Sequence, residues 1–93
     1  MSGDGTKELM GRVELGIETE TFIAGPIGSY LLERLRDEEK RAIEELKRVD
    51  PHDTGKIVEL QYLIKRSENI DGWLAGLIQE GWYAEKQLKE EDA

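Results

Sequence analysis

Residues 60–88 read LQYLIKRSENIDGWLAGLIQEGWYAEKQL. Within them Leu60, Leu63, Ser67, Ile70, Leu74, Leu77, Gly81, Ala84 and Leu88 follow one another at alternating spacings of three and four. An α-helix turns once in about 3.6 residues, so these positions stack into one stripe along one face of a rod. The stripe predicts an all-α fold with a third helix from about Thr54 to Lys89, roughly 50 Å long.

Working back from this rod, the segment Val49-Asp50-Pro51-His52-Asp53-Thr54 is the tightest punctuation in the chain. Pro51 cannot continue a helix, and Asp53 or Thr54 can offer an oxygen to the free amides of the next one. So short a link predicts that the flanking helices run antiparallel as a hairpin. The helix before the turn spans about 26–48, with the apolar stripe Ile27, Tyr30, Leu31, Leu35, Ala42, Ile43, Leu46 and Val49. Six consecutive charges, Arg36 to Arg41, interrupt its stripe, which stays continuous if Glu38 or Glu39 lies at the edge with its methylenes packed. Gly25 and Pro26 read as a stop and a start: glycine tolerates left-handed dihedrals past a helix end, and proline presets a first turn. Before them, about residues 7–24 form a short, marginal helix, weakened by Gly11, Gly16 and two threonines. Residues 1–6 and 90–93 are expected to be flexible.

The expected third helix outruns the second, so Trp73, Leu77, Ile78, Trp82, Tyr83 and Leu88 need cover. The first helix folded back supplies some of it, and a second copy of the chain the rest. Gly72, Gly76 and Gly81 each cost about 1 kcal/mol in a helix relative to alanine, an expense that a close approach of another backbone or ring would offset. Trp73 and Trp82 directly follow two of these glycines and are candidate contact anchors. The expected protein interface is Ile70, Trp73, Leu74, Leu77, Ile78, Gly81, Trp82 and Leu88.

The chain has 93 residues, 37% charged and 38% hydrophobic, enough for one domain with a thin core and too little for a deep enclosed pocket. Twenty-one acids against 13 bases give a net charge of −8, which argues against binding nucleic acid or an anionic membrane directly. With no cysteine and one histidine there is no thiolate nucleophile and no Cys- or His-rich metal site. Neither a membrane span nor a signal peptide is legible, which predicts a soluble, intracellular protein. His52 beside Asp50 reads as a turn residue, because no nucleophile or oxyanion donor accompanies it. The Gly25–Gly28 turn lacks the lysine and hydroxyl of a phosphate-binding loop. The carboxylate pairs Glu14/Glu18 and Glu33/Asp37, and the opposite charges Glu44 and Arg48, are ordinary helix-surface spacings. Catalytic residues, metal and cofactor are therefore all expected to be absent. Residues 40–66 hold five acids and seven bases, so the hairpin tip is mildly basic between two acidic ends.

The stretch FIAGPIGSYLLER at 22–34, the turn VDPHD at 49–53, LQYLIKRSE at 60–68, WLA at 73–75 and AEKQL at 84–88 together resemble a family of small helical proteins encoded among the structural genes of tailed bacteriophages and prophages. The likeness covers about residues 11–92 and rests on helix and turn signatures. It implies a phage setting and a virion-assembly or host-interaction role, and carries over no functional residues. The expected function is a non-enzymatic protein-binding or assembly module that associates with itself and with another phage or host protein. The alternative is an acidic decoy that occupies the nucleic-acid groove of a host defence or replication protein, using carboxylates such as Glu14, Glu18, Glu85 and Glu90.

Overall fold

The computed structural model describes residues 2–92, with side-chain surroundings for residues 5–90. Three helices account for nearly all of it: α1 (Ser2–Ala24), α2 (Pro26–Arg48) and α3 (Thr54–Asp92). The expected bounds of α2 match. The first helix is not short: at 23 residues it equals α2. Its helical backbone includes residues 2–6, and α3 continues through residue 92, where flexible ends were expected. Residues 1 and 93 of those ends lie outside the described residues.

All nine positions of the three-four stripe in α3 are buried or half-buried. Two elements share it. Toward the start of α3, Lys56 meets Glu45 at 3.8 Å, Arg66 meets Glu38 at 3.1 Å, and the Ser67 hydroxyl donates to the Leu35 carbonyl at 3.4 Å. Numbers rise along α3 as they fall along α2, so α2 runs against α3. Toward the far end Gly16 of α1 sits on Gly81: a Cβ on either glycine would lie 3.1 Å from the other's Cα. As expected, α3 at 39 residues outruns α2 at 23, and α1 lies against the part of α3 beyond α2. The result is a thin rod of 60 × 28 × 17 Å whose long dimension is about that of a 39-residue helix.

The bend between α1 and α2 is made by different chemistry from that expected. Gly25 has φ −76° and ψ 167°, an extended backbone open to any residue, and no described glycine has a positive φ. The constrained position is Gly28, in the first turn of α2. A side chain there would overlap the Phe22 carbonyl and approach Ile23. Pro26 occupies the start of α2, where its missing amide removes no helical bond. The Gly25 amide bonds back to the Thr21 and Phe22 carbonyls, at 3.0 and 3.2 Å, closing the end of α1.

At the other turn Asp53 supplies the cap. Its Oδ1 accepts the Lys56 amide at 3.1 Å, while the Asp53 amide donates to the Asp50 carbonyl at 2.9 Å. The charged run of α2 is accommodated as its spacing suggests. Glu38 and Glu39 are half-buried at the stripe's edge, and the Glu38 carboxylate reaches Arg66 and, at 3.6 Å, Arg34.

Candidate functional site

The buried interior is small. Among the described residues Leu9, Ala42, Leu60 and Ala84 are its buried hydrophobic residues, and Leu60 and Ser67 are the largest side chains with essentially no exposure. Against these stand, among the described residues, thirteen large hydrophobic side chains open to solvent, Trp73, Trp82 and Tyr83 among them. This surplus is the most distinctive surface feature of the molecule, and its geometry is set by helical spacing.

Trp73 and Trp82 are nine residues apart, which is two and a half turns, so they point to opposite sides of α3. The one interface expected to hold both therefore cannot be a single face of α3. Trp82 is 58% exposed and borders a groove of about 60 Å³ between α1 and α3, lined also by Val13, Ile17, Glu20, Ile78 and Glu85. Trp73 is 68% exposed on the other side. Seven-residue spacing returns a helix to nearly the same face, and so groups Trp73 with Arg66 on α3 and Leu31 with Glu38 on α2. The Arg66–Glu38 ion pair joins these two sets, placing Leu31 and Trp73 on one flank of the rod. On α1, Leu15 and Phe22 share a face turned well away from Ile17 and hence from the Trp82 groove.

The other members of the expected interface are placed differently. Ile70, Leu74, Leu77 and Leu88 are half-buried in the stripe facing α1 and α2, and Gly81 is buried against Gly16. Ile78 is half-buried in the Trp82 groove. Of the three α3 glycines credited with close packing only Gly81 has it, since Gly72 and Gly76 have open space where a Cβ would stand. Leu15, Ile17, Phe22 and Leu31 are additions that sequence reasoning missed. The signal available for them was their spacing relative to the buried positions of their own helices.

The polar surface is largely occupied with itself. Of the seven bases near the hairpin tip, Arg41, Lys47, Lys56 and Arg66 lie in ion pairs with carboxylates of this chain. Lys47 pairs with Glu44, the partner that spacing had given to Arg48. Arg36 lies 3.9 Å from Asp71. The Arg34 guanidinium donates to the Tyr30 hydroxyl and lies beside Glu38, and both contacts raise its pKa above the usual value. His52 is almost fully exposed, with its ring Nδ1 3.2 Å from Asp50 Oδ1. The Asp50 oxygen also accepts the His52 amide at 2.9 Å, so this pairing belongs to the turn. Glu14 and Glu18 are exposed along α1. Among the described residues no group of three or more His, Cys, Asp or Glu side chains is arranged to hold a metal ion. None of the described helices is long and apolar enough to cross a membrane.

No protein-family model, curated protein or solved structure matches the chain.

Proposed function

We propose that this chain is a non-enzymatic assembly module of phage origin, which completes its core by associating with a second copy of itself and presents remaining apolar surface to another phage or host protein. In this reading the working unit is an antiparallel hairpin, with α3 as one arm and α1 and α2 in series as the other. The carrying observation is the imbalance between interior and surface. A chain of 10.6 kDa folded compactly exposes about 5,500 Å². This one exposes 7249 Å², with a radius of gyration of 18.9 Å where a compact chain of this length has about 12 Å. The excess is about twice the roughly 800 Å² that each partner contributes to a standard interface. Much of it is apolar, including two tryptophans of the kind that anchor interfaces. The phage setting rests on the sequence resemblance alone.

Light scattering and sedimentation velocity on the purified chain test the self-association. A stable oligomer at micromolar concentration is the expected result. A folded monomer that persists to about 1 mM, where even a weak complex would form, rejects it.

A further inference from the structure

We propose that the flank bearing Phe22, Leu31, Trp73 and Ile27, which lies one helical turn before Leu31 on the same face of α2, is the self-association face, and that its occupant is the same flank of a second copy related by a two-fold axis. The inference rests on the self-association reading above and assigns its location.

Three observations select this flank over that of Trp82. The first is its place along the rod. Gly16 against Gly81 and Leu35 against Ser67 are fixed points of contact between the two layers. Phe22, Ile27 and Leu31 fall between Gly16 and Leu35, and Trp73 falls between Ser67 and Gly81. The patch is therefore near the middle of the rod, where a two-fold axis overlaps the two copies along most of their length. An axis through the Trp82 groove, which lies toward the α1 end, would leave much of each rod overhanging.

Charge is the second. Glu20 and Glu85 border the Trp82 groove. Lys89 offsets Glu85 at 3.4 Å, which leaves each copy's Glu20 to meet the other's across such an interface, in a chain already carrying −8. Beside Leu31 and Trp73, by contrast, the Glu38 carboxylate lies between two guanidinium groups, Arg34 at 3.6 Å and Arg66 at 3.1 Å, so this cluster carries one net positive charge in an acidic chain.

The third is exposure. Ile27 and Trp73 are each 68% exposed, and Phe22 and Leu31 are also open to solvent. They sit on three different helices, so one contact area ties α1, α2 and α3 together across the bend. Two such rods stacked flank to flank form a four-helix layer pair whose interior gains both copies of each residue.

The test compares Trp73→Lys with Trp82→Lys in the full chain, by sedimentation equilibrium, with circular dichroism to check that helicity is kept. Trp73→Lys is expected to weaken the dimer by about 100-fold or more, because a two-fold interface loses the anchor twice. Trp82→Lys should change it by less than about threefold. The reverse pattern, or an oligomer indifferent to both, overturns the placement while leaving self-association intact. A wild-type monomer at every concentration overturns both. Should Trp73→Lys lose helicity, single-tryptophan chains decide. With Trp82→Phe the emission should shift to the red on dilution through the dissociation range, and with Trp73→Phe it should stay constant; the opposite assignment sinks the proposal.

Discussion

Replacing glycine by alanine reports the sign of each glycine's role, and in this chain the sign differs from site to site. Gly72 and Gly76 have open space at the Cβ position within a continuous helix. Gly76→Ala is therefore expected to stabilise the fold by about 1 kcal/mol, read as a raised urea midpoint. Gly28→Ala is expected to do the reverse, because its methyl group would run into the Phe22 carbonyl. Relieving that overlap means opening the bend, at a cost of about 3 kcal/mol, the upper range for overpacking. Gly16→Ala and Gly81→Ala fall between these, since each methyl would stand 3.1 Å from the opposing Cα. The ten glycines are equivalent as letters. What separates them is the backbone lying opposite, set by residues far away in sequence, and for that reason a dihedral argument at Gly25 named the wrong position. The nine-residue separation of the tryptophans was, by contrast, open to arithmetic: it excludes a common face before any coordinates are known.

Among the elements, α3 was legible because its stripe states both a period and a direction, and tertiary contact agrees with it throughout. Leu60, 1% exposed, is the best-buried large side chain of that stripe. Leu60→Ala should cost about 2–5 kcal/mol in chemical unfolding, toward the low end if so thin a core collapses around the gap. The Asp53 cap was legible as one of two candidates, and Asp53→Ala should cost about 1 kcal/mol through the lost bond to the Lys56 amide. The length of α1 was not legible. Its glycines and threonines lower helix propensity, but propensity is a weak prior beside a packed face. Gly16 is itself the reason α1 can lie close along α3, and Thr19 donates its hydroxyl to the Leu15 carbonyl at 2.7 Å, which satisfies that hydroxyl where the residue is buried. The residues that make α1 look marginal are those that let it approach.

For the whole molecule, the net charge of −8 and the apolar flank make opposing demands on any assembly. Bringing two copies together doubles the charge within one particle, and salt screens that repulsion with a Debye length of about 10 Å at 0.1 M. Burial of Phe22, Leu31 and Trp73 is not weakened by salt, and the Glu38 ion pairs sit at the flank without having to form across the interface. Association should therefore tighten as sodium chloride is raised from about 0.05 to 0.5 M, by about threefold to tenfold in dissociation constant at fixed pH. Carboxylate-led binding to a basic groove has the opposite dependence, losing affinity steeply over the same range. Sedimentation equilibrium across a salt series at pH 7 separates the two mechanisms by the sign of the slope. A dissociation constant that rises with salt would mean that charge pairing between copies, and not the tryptophan flank, holds the assembly together.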